Sequence, residues 1–151
     1  MSVFADSSAL VKLYSDEVGS EIVRAVEVMI VSAVARVEVP AAFWRKHRMG
    51  ELRTEQASWL TQDFEADYFG TGEAPPRFVA VAAAAEVLDR AAGLYAVHPL
   101  RALDAIQLGS ALTVRDKEPG CRTLAAIDAG LRRAAAAEGF ALLPSDLPQS
   151  I

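Results

Sequence analysis

Short apolar runs that alternate with longer helical stretches limit the fold of this sequence more than any other feature. The apolar runs have the length of buried strands, and the stretches between them are rich in Ala, Leu, Glu and Arg, which favour helix. Such alternation is typical of an α/β domain with a mostly parallel sheet. The predicted strands are 3–5, 28–31, 78–79, 124–127 and 141–143, and the predicted helices are 8–15, 19–27, 33–49, 54–69, 80–96 and 100–116.

Length and composition predict one cytoplasmic domain. The 151 residues suit a single domain over 1–151, and the Gly- and Pro-rich segment 70–76 reads as a loop rather than a linker. A lone cysteine, Cys121, excludes an intrachain disulfide framework and a Cys-rich zinc cluster. The N-terminal residues lack an export-signal pattern, and no apolar run reaches the roughly 20 residues that span a bilayer. We therefore expect no membrane role.

The segment 100–112 predicts a helix that is buried almost all round, because nearly every position is apolar. Its polar residues Arg101, Asp104, Gln107 and Ser110 are spaced by three and form one narrow line. A carboxylate on such a helix needs a compensating partner, so Asp104 is expected to face a cleft or a cation. The alternative is an ion pair with Arg101.

Glu38 has small apolar neighbours one helical turn away on either side, which is unusual for a solvated glutamate. Pro40 lies close by, so the helix is expected either to bend near Glu38 or to begin close to it. The alternative is a half-exposed helix residue without a special role.

Asp6 and Asp128 each follow a predicted strand and precede a helical segment. This pattern places both at the carboxyl ends of parallel strands, where ligands bind in open α/β sheets. The alternative is that each only caps the helix that follows it, since Asp is a favoured N-cap residue.

Together these four acids predict a site for Mg²⁺ or Mn²⁺, because clusters of carboxylates are the ligands of hard cations. Such ions activate water and stabilise charge in phosphoryl displacement. No pattern ties His47 or His98 to a serine or to Cys121 as a nucleophilic dyad, and zinc is disfavoured for lack of ligands.

The net charge of −5 argues against a nucleic-acid partner only superficially. Bound divalent cations would cancel much of it, and the basic cluster 45–48 with Arg53 could meet a phosphate backbone. The alternative for this cluster is a solvated helix face.

Four short blocks, in order, resemble PIN-domain proteins of the VapC toxin family over nearly the whole chain. The blocks are 4–14, Ser32 with 36–38, 100–108 and 127–139. The resemblance implies a three-layer α/β/α sandwich and a Mg²⁺- or Mn²⁺-dependent endoribonuclease. It also implies that Asp6 and Asp104 are the principal metal ligands, that Asp128 completes the site and that Glu38 binds a second ion.

The same blocks make Ser7, Ser32 and Arg36 candidates for substrate binding. Ser7 and Ser32 match hydroxyl positions that lie beside the acids in such proteins. The chain departs from the family at Ala126, where a Ser or Thr often stands, and this departure weakens Asp128 as a ligand.

The resemblance further implies an RNA substrate, an antitoxin protein as partner and a homodimer. Six aromatic residues fall between 43 and 69 and could form a groove for a partner helix. Alternatively, the two helices that carry them pack on each other and on the sheet.

The nearest rival function is a non-catalytic PIN-like module that binds RNA or protein. A haloacid dehalogenase-type phosphatase would need a second acid at position 8, where this chain has Ser8. A phospho-receiver domain would need an acidic pair and a late lysine that the chain does not supply.

Overall fold

The computed structural model describes residues 2–147, which form five strands and seven helices. The strands are β1 (Ser2–Ala5), β2 (Val28–Ser32), β3 (Phe78–Val81), β4 (Thr123–Ala125) and β5 (Ala141–Leu143). The helices are α1 (Ser7–Val11), α2 (Ser20–Arg24), α3 (Ala35–Arg48), α4 (Thr54–Phe69), α5 (Ala85–Leu94), α6 (Ala102–Lys117) and α7 (Ala129–Ala137). No helix within 2–147 has both the length and the apolar character needed to cross a membrane.

The five strands form one parallel sheet with the order β3-β2-β1-β4-β5. Strand β1 is central, with Phe4 opposite Ile30 of β2 on one side and Leu124 of β4 on the other. The chain leaves β1 in one direction for β2 and β3, and later returns to the opposite side for β4 and β5. This reversal places a crevice between the carboxyl ends of β1 and β4.

Alternate residues of the strands enter two separate cores. Val3 and Ala5 of β1 pack with α1, α3 and α4 on one face of the sheet. Phe4 points the other way and packs with α6 and α7. The period of two along a strand thus gives helices on both faces. The predicted α/β/α sandwich around a parallel sheet is confirmed.

The aromatic residues between 43 and 69 mostly follow the packing alternative. Phe43 and Phe64 are buried and both meet the ring of Tyr14 edge-on, with ring centroids 5.8 and 6.1 Å apart. Trp59 and Phe69 are the exposed members of the group. Helices α3 and α4 therefore use the larger part of this cluster to pack together.

Gly109 lets α6, which carries Asp104, lie directly against α5. A Cβ at this position would lie 3.1 Å from the carbonyl oxygen of Val87 and 3.2 Å from the amide nitrogen of Ala91. We expect Gly109→Val to lower the free energy of unfolding in urea by about 2 kcal/mol, because backbone atoms cannot move aside as a side chain can. Gly93→Ala is the control: a Cβ there has no neighbour within 4 Å, and helix propensity predicts a gain of about 0.5 kcal/mol. Equal stability of Gly109→Val and the parent would contradict this packing.

Candidate active site

All four predicted acids line one cleft of about 590 Å³ at the carboxyl edge of the sheet. Asp6 follows β1, and Asp128 lies directly before α7. Glu38 and Asp104 lie in the first turns of α3 and α6. Helix α3 begins at Ala35, close to Glu38, which is one of the two alternatives that the sequence left open. This start places Glu38 at the cleft.

Asp6 is a buried carboxylate at the N-terminus of α1. Only 4% of the residue is exposed, and Oδ1 accepts from the Ala9 amide at 3.0 Å and from the Ser8 hydroxyl at 2.7 Å. Burial raises the pKa of Asp6 to about 7; these donors oppose the rise, and the negative charge of Glu38 adds to it. Asp6 is therefore an N-cap, as the alternative proposed, and also a carboxylate whose charge is poorly compensated.

Glu38 is held by neutral donors. Its Oε1 accepts from the Ser7 hydroxyl at 3.0 Å and from the Gln107 amide at 2.9 Å. Within residues 2–147, neither Glu38 nor Asp6 forms a salt bridge with any Lys, Arg or His. In this half of the cleft, therefore, no ion pair among the described residues compensates the carboxyl groups.

Asp104 and Asp128 are joined by one guanidinium. Nε of Arg101 donates to Asp104 at 3.2 Å, and its terminal nitrogen donates to Asp128 at 3.4 Å. The hydrogen bond with Asp104 raises the pKa of Arg101 most, and the negative charges of Asp104, Asp128 and Glu38 raise it further. Asp128 also caps α7 by accepting from the Leu131 amide at 2.9 Å. The ion-pair alternative for Asp104 and the capping alternative for Asp128 are both correct.

The four acids share the cleft but do not all meet at one point. In the described part of the chain, no group of three acidic, His or Cys side chains is close enough to hold a single ion. In this conformation Arg101 lies between two of the acids and pairs with both. One cation site shared by all four acids stays a prediction. The donor set, made of carboxylate oxygens, still suits Mg²⁺ or Mn²⁺. The side chain of Arg101 is 80% exposed, so its displacement needs no change in the core.

Two of the predicted substrate-binding residues do not line the cleft, whereas Ser7 does. Ser32 is fully buried and accepts from the Val34 amide at 3.3 Å. Arg36 pairs with Glu65 at 3.2 Å and lies over the Phe69 ring. These contacts turn Arg36 towards α4. The structure therefore does not place Arg36 at the cleft, where the sequence analysis predicted it.

Other basic residues line the cleft instead: Lys12, Arg45, Lys46 and Arg101. Glu17, also in the lining, pairs with both Lys12 and Lys46. Arg45 and Lys46 belong to the basic cluster of the sequence, whereas Lys12 and Glu17 were missed. Gln107 was visible only as part of the polar line on α6.

Comparison with known proteins gives relatives of nearly full length. No family model matches the chain. It is 34% identical over 149 residues to ribonuclease VapC45 and to ribonuclease VapC49, each from a strain of Mycobacterium tuberculosis, covering 96% of the chain and 96% of each relative.

Two solved structures share the fold at 17% identity. One is M. tuberculosis VapC20, a sarcin-ricin loop cleaving toxin, with a TM-score of 0.60 over 97% of this chain and 99% of that one. The other is FitAcB from Neisseria gonorrhoeae, with a TM-score of 0.62 over 93% and 96%.

The raised pKa of Asp6 predicts a pH-dependent effect on stability. The ordinary pKa is 3.8 and the folded value about 7, so ionisation of Asp6 weakens the fold progressively as pH rises between these values. We expect Asp6→Asn, which carries no charge, to raise the free energy of unfolding at pH 8 in EDTA by up to about 4 kcal/mol. At pH 4.5 the gain should shrink to about 1 kcal/mol. Urea titrations of the variant and the parent at both pH values measure this difference in the free energy of unfolding. A difference that does not change with pH would contradict the uncompensated burial of Asp6.

Proposed function

The chain belongs to the VapC family of ribonucleases, and from this premise we propose that it is a Mg²⁺- or Mn²⁺-dependent endoribonuclease that hydrolyses RNA phosphodiester bonds. We further propose that it is the toxin of a toxin–antitoxin pair. The observation that carries the metal dependence is the buried Asp6 carboxylate beside Glu38, because neither acid forms an ion pair with a basic side chain among residues 2–147. Burying an ionised carboxylate costs free energy unless a cation binds to it.

Asp6 and Glu38 would hold the cation, and Asp104 and Asp128 would join them once Arg101 has moved. When bound, the ion would activate a water and stabilise negative charge on the phosphate. The protein's own part is to orient the substrate. Lys12, Arg45 and Lys46 line the same cleft and offer positive charge to phosphates on either side of the bond to be cut.

The partners are proposed on family grounds. An antitoxin protein would hold the enzyme inactive in the cytoplasm, and the enzyme would act as a homodimer. A non-catalytic binding module remains the second candidate, because a lasting Asp104–Arg101–Asp128 contact would suit a site that never takes up a cation.

Removing single acids tests the nuclease proposal. We expect Asp6→Asn and Asp104→Asn each to reduce RNA cleavage in Mg²⁺ by on the order of 100-fold or more, because each loses a negative oxygen ligand. EDTA should abolish cleavage by the parent. The assay follows cleavage of total RNA and of a labelled oligonucleotide.

Asp116→Asn is the matched control, since Asp116 lies on the same helix as Asp104 but pairs with Arg90, away from the cleft. It should cut as fast as the parent. In cells without an antitoxin, the parent and Asp116→Asn should arrest growth, whereas Asp104→Asn should not. Cleavage that survives EDTA would remove the metal from the proposal, and a parent that binds RNA without cutting it would favour the non-catalytic module.

Arg101 is expected to compete with the cation. Because its guanidinium lies between Asp104 and Asp128, we expect Arg101→Gln to bind Mn²⁺ several-fold more tightly than the parent in a calorimetric titration without RNA. Arg90→Gln removes a similar exposed pair outside the cleft and should leave Mn²⁺ affinity unchanged. Weaker Mn²⁺ binding by Arg101→Gln would contradict this competition.

A further inference from the structure

Gln107 reaches from α6 to side chains of two other helices, the Ser7 hydroxyl of α1 and the Glu38 carboxylate of α3. Only 2% of the residue is exposed. Its Nε2 donates to the Ser7 hydroxyl at 2.9 Å and to Oε1 of Glu38 at 2.9 Å. The Ser7 hydroxyl itself donates to the same Oε1 at 3.0 Å, so the three side chains form a closed triangle.

The chemistry of the triangle fixes the orientation of the Gln107 amide. A carboxylate oxygen only accepts, so the amide must turn its NH₂ group towards Glu38. The opposite orientation would place two oxygens against each other at hydrogen-bond distance. The remaining amide oxygen, Oε1 of Gln107, is then buried and has no hydrogen-bond partner within residues 2–147. Such a group reduces stability, which argues that Gln107 serves something other than stability.

The triangle forms hydrogen bonds to only one of the two carboxylate oxygens of Glu38. Oε1 accepts both donors, whereas Oε2 accepts none from the described residues. Both donors are neutral, so Glu38 is held in place without an ion pair to a basic side chain of the described residues. Asp104 and Asp128 differ, because the group that holds them is a cation.

We propose that Gln107 is a positioning residue: together with Ser7 it holds one carboxylate oxygen of Glu38 by hydrogen bonds and leaves the other oxygen free to bind a divalent cation in the cleft. The inference rests on the proposed metal-dependent function and deepens it. Residues that orient a metal ligand by hydrogen bonds change metal affinity or activity by about 10- to 100-fold when removed.

The test is a double-mutant cycle between Gln107→Met and Glu38→Gln. Methionine keeps the length and approximate volume of the side chain but loses the donor. We expect Gln107→Met to weaken Mn²⁺ binding, measured by calorimetry without RNA, by about 10-fold. The rate constant kcat for RNA cleavage should fall by a similar factor while KM for RNA changes little. In the Glu38→Gln background, Gln107→Met should have no further effect on Mn²⁺ binding.

A purely structural role predicts different results. If Gln107 only stabilised the fold, Gln107→Met would lower the melting temperature in EDTA. If Gln107 is a positioning residue, the substitution removes a buried amide oxygen that has no partner, so the melting temperature should stay unchanged or rise. Gln62→Met controls for the substitution itself, because Gln62 is exposed on α4, away from the cleft, and its amide donates to the Ser58 hydroxyl at 3.2 Å. It should behave as the parent in every assay.

Parental Mn²⁺ affinity in Gln107→Met, or an equal loss in the Glu38→Gln background, would overturn the inference. A parent that binds Mn²⁺ without cutting RNA would end the nuclease proposal, while the cycle in Mn²⁺ affinity would still decide the role of Gln107. A parent that binds no divalent cation would overturn both.

Discussion

The arrangement of the cleft depends on the buried carboxylate of Asp6 at the end of the central strand. Because β1 lies between β2 and β4, the segments that follow all three strands meet around this residue. The amide of Ala9 and the hydroxyl of Ser8 hold the carboxylate, and the same hydroxyl accepts from the Ile127 amide at 2.9 Å. The first turn of α1 thus links the segments that follow β1 and β4. Burial raises the pKa of Asp6, and these neutral donors, which lower it, do not outweigh the effect of burial.

The capping roles of the two aspartates do not exclude the metal-binding role proposed for them. Asp6 and Asp128 were each open to a purely structural interpretation, and both do cap helices. In a parallel sheet, however, the residue that caps the helix after a strand lies at the edge where ligands bind. In both aspartates Oδ1 accepts from a helix amide, whereas Oδ2 accepts from a side chain, the Ser8 hydroxyl for Asp6 and the Arg101 guanidinium for Asp128. The sequence pattern therefore could not separate the two roles.

Much of the architecture could be predicted because periodicity and composition act locally. Helix α4 has the predicted bounds, and the strand positions follow from apolar runs. The boundary between β3 and α5 was misplaced: residues 80–85 are almost all Ala and Val, so composition does not mark the end of the strand at Val81. Side-chain partners were harder to predict. Arg36 lies on the α4 side of α3, and this depends on how the two helices pack, which no local pattern encodes.

The balance of charge in the cleft explains how a chain with a net charge of −5 can still meet a polyanion. Five carboxylates line the cleft, against the four basic side chains of Lys12, Arg45, Lys46 and Arg101. Without a bound ion the lining is therefore formally negative by one charge and repels phosphate weakly. A divalent cation held as proposed would make the lining positive by one while Arg101 stays in the cleft, and formally neutral once Arg101 has moved away. In either case metal binding would remove the repulsion and favour RNA binding. The neutral contacts of Glu38 would matter for the same reason, because a cationic partner there would oppose the binding of a metal ion.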